Sequence, residues 1–207
     1  MTLSEIITAV RSQIAEPDET TDKFWTDDEI TQWINNGYRQ FCMVTKIVKD
    51  LFVKTYEEET REKTFTVDFA RIDRVEWENE DEDIIELLPI AMEDVDFTSD
   101  AETNTPEKYY LRSYNVIGLD PVPDEEGILN VYCSYVPEEL SGDESEPEIP
   151  EVFHDALVEF ACWKARLKYK DPLYNEHKNN FRDFLVLAVK HVGTTKKKTT
   201  GIRPRFN

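Results

Sequence analysis

The hydrophobic period of this chain changes twice, and that double change constrains the fold more than any single motif. Leu3, Ile6, Ile7, Val10 and Ile14 recur at the spacing of one helical face. From about residue 60 the pattern becomes a two-residue alternation, in TFTVDF (64–69), IDRVEW (72–77) and most regularly ILNVYCSYVP (128–137). After Pro150 the helical period returns with Val152, Phe153, Ala156, Leu157, Phe160 and Ala161. A helix buries a stripe and a strand buries a face, so segments of different period belong to different layers. Helices at both ends therefore pack on each other, and the strands between them form an insertion.

The punctuation agrees with this division. Thr2 with Glu5, and Thr26 with Glu29, stand three apart ahead of apolar runs, the pattern of a capping box. Ile30, Trp33, Ile34, Phe41, Val44 and Val48 extend the second helix to about residue 53. NEDED (79–83) and DEEG (124–127) read as turns, IIELL (84–88) as a strand and PIAMEDVDF as a short helix. YYLR (109–112) and VIGLDPVP (116–123) bring the expectation to five or six mainly antiparallel strands. KDP (170–172) stops one helix and starts the next, with Asp171 as cap. Phe181, Phe184, Leu185, Leu187, Ala188 and Val189 on the last helix are assigned to the core.

The predicted fold class is α+β. Residues 1–59 and 150–192 form a discontinuous, small antiparallel helical bundle, and 60–137 an inserted, mainly antiparallel β-region. Residues 138–149 are an acidic linker and 193–207 an extended basic C-terminal arm.

Charge is distributed unevenly along this plan. The chain has 44 acidic and 24 basic residues, net −20. Residues 190–207 contain six cations and no acid, which leaves residues 1–189 at −26. So negative a body does not wrap nucleic acid, because phosphate binding needs cations. Cys42, Cys133 and Cys162 are far apart in apolar stretches and read as buried, reduced thiols of a protein made in the cytoplasm. The first residues lack a basic region and a continuous apolar run, so no signal peptide is expected, and no apolar stretch is long enough for a membrane span.

Reactive constellations are scarce. The six glycines are scattered and form no phosphate cradle. His154, His177 and His191 lack a second ligand at helical spacing, and His154, on a first helical turn, reads as exposed or capping. ENEDED (78–83) offers oxygen ligands but no glycine for a calcium-loop turn, so a solvated turn is the better reading. Trp25, Trp33, Trp77 and Trp163 fall on predicted buried faces and read as core. No catalytic residue, metal ligand or cofactor is assigned.

At FWTDDEITQWINNGYRQF (24–41) the chain resembles the head-to-tail connector, or adaptor, proteins of tailed bacteriophages. PEKYYLRSYNVIGLDPVPD (106–124) is similar to their central hairpin. LNVYCSYVPEELSGDESEPEIPEVFHDALVEFACWKARL (129–167) is similar to their strand, linker and following helix, and KDPLYNEHKNNF to their return helix. The resemblance implies a structural virion protein at the head–tail junction, without catalysis. It implies a ring of about twelve copies under the portal, joining it to a tail or nozzle protein, with DNA passing through the lumen unread. It also implies that the C-terminal segment docks on the portal or a neighbouring subunit.

The basic arm fits that role. Lys196, Lys197 and Lys198 form a diffuse positive segment, and Arg203 and Arg205 suit paired carboxylates. Ile202 and Phe206 add apolar anchors. The alternative is an acidic, soluble binding module of the DNA-mimic inhibitor type, which the basic arm does not suit.

Overall fold

The structure is a computed structural model and describes residues 1–15, 24–95, 97 and 103–199, with side chains described as far as residue 193. The fold is α+β. The chain divides into two compact units, Met1–Val48 with Pro137–Asn207, and Lys49–Val136.

The first unit contains α1 (Leu3–Gln13), α2 (Asp27–Thr45), α3 (His154–Lys168) and α4 (Tyr174–Thr199). Both capping boxes form. Thr2 accepts the Glu5 amide while the Glu5 carboxylate accepts the Thr2 amide, and Thr26 and Glu29 repeat the arrangement. Each cap is worth about 1 kcal/mol.

The third helix touches the other three. Phe160 meets Phe181 of α4 with ring centroids 5.0 Å apart and lies against Gly37 of α2. Cys162 Sγ lies 3.4 Å from Gln13 Oε1 of α1. Arg166 pairs with His177, Phe160 with Phe181 and Phe153 with His191, an order that makes α3 and α4 antiparallel. Of the α4 residues assigned to the core, Phe181 and Ala188 are buried, Phe184 and Leu185 half-buried, and Leu187 and Val189 exposed. A helix against a few neighbours buries one stripe, and Leu187 and Val189 flank that stripe.

The acidic stretch after residue 137 is fastened to these helices. Leu3 and Ser4 donate their amides to the carbonyls of Ser145 (2.8 Å) and Asp143 (3.1 Å), which satisfies donors of the first turn of α1. Asn35 clasps the backbone of Leu140 in both directions, at 3.0 and 2.9 Å. Leu140 and Ile149 are buried.

The described residues of the second unit form eight strands: β1 (Lys49–Tyr56), β2 (Glu62–Thr64), β3 (Asp68–Glu78), β4 (Ile84–Glu86), β5 (Leu88–Pro89), β6 (Lys108–Ser113), β7 (Val116–Asp120) and β8 (Gly127–Val136). They make two four-stranded sheets, ordered β1-β8-β3-β4 and β2-β7-β6-β5. The named pairs are antiparallel except β5 with β6. In the central β8, Leu129, Val131, Cys133 and Tyr135 alternate inward as the sequence pattern predicts. Tyr56 donates its hydroxyl to the Ile117 carbonyl at 2.9 Å, and Phe65 meets Phe69 at 5.1 Å, so the sheets share one core. Gly127 is required there: a Cβ would fall 2.2 Å from the fully buried Trp77 ring.

Three expectations change. The second helix stops at Thr45 and not near residue 53, because Lys46 takes a left-handed cap conformation (φ 55°). The next residues have strong strand preference and pair with β8 as β1, which moves the helix–strand boundary upstream. TFTVDF is not one strand: β2 ends at Thr64 and β3 begins at Asp68. Among the described residues the strands number eight, more than the expected five or six, because 49–56 is strand and not helix and because 84–89 divides into β4 and β5 in different sheets.

Candidate functional site

Of the residues singled out for docking, Lys196, Lys197 and Lys198 fall within α4. That helix runs on to Thr199, so residues 193–199 are helical and not extended. Lys196, Lys197 and Lys198 therefore stand on helical backbone. At 1.5 Å per residue the 26-residue helix is about 39 Å long. Ile202, Arg203, Arg205 and Phe206 lie outside the described residues.

A second charged feature lies at one end of the β unit. Glu78, Glu80, Glu82 and Glu126 line one hollow with Asn79, Gly127 and Ile128. The turn is built by Asn79, whose side chain accepts the Asp83 amide at 2.8 Å, and by Glu82 at φ 64°. Desolvation, then the neighbouring carboxylates of Asp124, Glu80 and Asp81, raise the Glu125 carboxyl above its usual range. Among the described residues no group of three acids, cysteines or histidines is placed to hold a metal ion.

The densest polar cluster joins α1, α3 and α4. Arg166 donates to His177 Nε2 (3.0 Å), to the Asp171 carboxylate (2.5 Å) and to the Gln13 carbonyl (2.7 Å). His177 Nδ1 lies 2.8 Å from Glu159 Oε2, which also accepts from Asn180 at 3.2 Å. These bonds tie helices together, and every side-chain nitrogen of Arg166 has a protein acceptor. A hollow beside it, lined by Ile14, Trp25, Tyr169 and Asp171, places no thiol or hydroxyl nucleophile against an imidazole base.

His154 requires a correction. It is 4% exposed and not at the surface. Its Nε2 lies 3.0 Å from the Ile149 carbonyl and its Nδ1 2.9 Å from the Met1 amine. The fold turns the helix start inward at this point, where sequence position alone suggested exposure. Burial pushes the thiols of Cys42, Cys133 and Cys162 up to about 12, so they are inert as nucleophiles near neutrality. Trp25 and Trp77 are buried as expected, while Trp33 and Trp163 are half-buried.

Sequence reasoning missed Arg11 and Arg166. Arg11 is fully buried and binds the Trp25 carbonyl at 2.9 Å and the Asp27 carboxylate. The available signal was its place on the apolar side of α1, one residue after Val10.

The profile of the SU10 adaptor protein family matches residues 1–201, both units together. The chain belongs to that family. The resemblance read from the four sequence stretches is thus borne out, and the SU10 adaptor family makes this chain a structural adaptor protein of a bacteriophage. No curated protein matches it. No described helix is long and apolar enough to cross a membrane.

Proposed function

We propose that this SU10-family adaptor forms a closed ring of about twelve copies under the portal and joins it to the tail or nozzle protein below. The family match over residues 1–201 is the observation that carries this reading. DNA passes through the lumen, where carboxylates on a chain of net charge −20 keep phosphates from adhering. The C-terminal segment, with Lys196, Lys197, Lys198, Ile202, Arg203, Arg205 and Phe206, docks on the portal or a neighbouring subunit. Its opposite charge offsets repulsion between acidic bodies. Catalysis has no part in this role.

The test is the mass of the protein mixed with portal rings from its own virus, by native mass spectrometry or sedimentation velocity. A discrete complex holding a fixed, symmetry-related number of copies is the expected result. Absence of any complex across salt and concentration rejects the reading.

A further inference from the structure

Many cations among the described residues are paired with acids. Arg39 binds Glu139, Lys49 binds Asp73, Arg112 binds Glu62 and Lys168 binds Glu29. Lys164 of α3 and Lys178 of α4 are not among them, and what sets these two apart is that they share one ring. Neither has a carboxylate among the described residues, and both ammonium groups lie over the same indole. Lys164 Nζ is 4.1 Å and Lys178 Nζ 5.7 Å from the Trp163 ring centre, and Lys164 is 4.8 Å from the Phe160 ring. Both lysines and Trp163 are half-buried. Arg182, one turn beyond Lys178, is exposed and equally without a carboxylate, and exposed Leu167 lies one turn from Trp163.

Two like charges on one ring, partly out of water, are costly unless an anion shares the place. The cation–π contacts recover part of that cost. Desolvation, then Lys178, lowers the pKa of the Lys164 amine, the sign expected of an ammonium that lacks a counter-charge. What is missing is a carboxylate, and acids outnumber cations in this chain 44 to 24. Two copies of so acidic a chain repel each other wherever they meet, except where one presents cations.

We infer that Trp163, Lys164, Lys178 and Arg182 form a docking surface for carboxylates of a second copy of this chain. The surface lies on α3 and α4 and is distinct from the C-terminal arm. The inference rests on the proposed homo-oligomer and names one half of its subunit contact.

Zero-length carbodiimide coupling tests it, because it joins an amine to a carboxylate only at contact. Isotopically light and heavy copies are mixed, assembled on portal rings, coupled and digested. Mixed-isotope peptides joining Lys164 or Lys178 to an Asp or Glu are expected. The double variant Lys164→Glu/Lys178→Glu, with an unchanged circular-dichroism spectrum, should weaken copy–copy association about tenfold or more. A conservative Lys164→Arg/Lys178→Arg variant should restore it.

If the wild type does not assemble on portals, the ring reading fails separately. The same coupling on the concentrated protein alone then decides the docking surface. Absence of inter-copy links at these lysines in either preparation overturns the inference. So does a charge-reversed variant that assembles normally but loses binding to a DNA duplex, which would make the cluster a phosphate site.

Discussion

Arg166 donates its Nε proton to His177 Nε2 across 3.0 Å, and this one bond sets the tautomer of the histidine. An acceptor Nε2 leaves the imidazole proton on Nδ1, where it is donated to Glu159 at 2.8 Å. The guanidinium thus orders a chain of bonds from the end of α1 to the first turns of α4. Arg166→Ala should destabilise the helical unit by about 2–4 kcal/mol, because His177, Asp171 and the Gln13 carbonyl lose a donor together. Urea denaturation measures this, and a loss under about 0.5 kcal/mol would show that the network is ornamental.

Acid should act partly through Asp171. The Leu173 amide first, then Arg166, hold its carboxyl below the usual range. A carboxyl depressed in the folded state contributes stability that is present above the unfolded value, about 3.9, and is lost as pH falls through and below it. Melting temperature should therefore fall more steeply between about pH 5 and 3 in the wild type than in Asp171→Asn. Parallel curves would contradict this assignment.

Gly37 offers a test of sign. Helix propensity alone says Gly37→Ala in α2 gains about 1 kcal/mol. The new Cβ, however, would stand 2.8 Å from Phe160 Cγ, and overpacking a core costs about 1–3 kcal/mol. A net loss is expected in chemical denaturation, whereas a gain would mean that the α2–α3 contact yields easily.

The thiols give an independent check of burial. Native protein should leave Cys42, Cys133 and Cys162 unmodified by a disulfide reagent at pH 8, and denatured protein should titrate all three. Rapid reaction of Cys162 in the native state would mean that α1 and α3 separate readily.

Removal of residues 193–207 takes none of the residues described as buried, since the last of these on α4 is Ala188. The melting temperature should change by no more than about 2 °C, while association with the portal or between copies weakens. Collapse of the fold would assign the segment to the core, and normal assembly would remove its docking role.

Much was legible from residues 2–45 and 150–181, where caps and apolar stripes are local signals. Thr2, Thr26 and the Phe160 face act where their spacing places them. The errors fell where a long-range partner overrides a local pattern. Val44 and Val48 continue a helical stripe expected to reach about residue 53, but Lys46 ends the helix first and β8 offers residues 49–56 a full ladder. The stretch 138–149 has linker composition, yet Asn35 and the first turn of α1 hold it through backbone atoms that composition does not reveal.

By itself, then, the sequence determined the layers, the caps, the helix–strand–helix order and the resemblance to phage adaptors. These depend on residue type and spacing along one segment. Only the tertiary structure decided which polar groups meet. Arg166 and His177 are eleven residues apart on different helices. Lys164 and Lys178 share the Trp163 ring because α3 and α4 run antiparallel. Such meetings depend on how two helices are aligned against each other, and that alignment is set by packing across the whole unit.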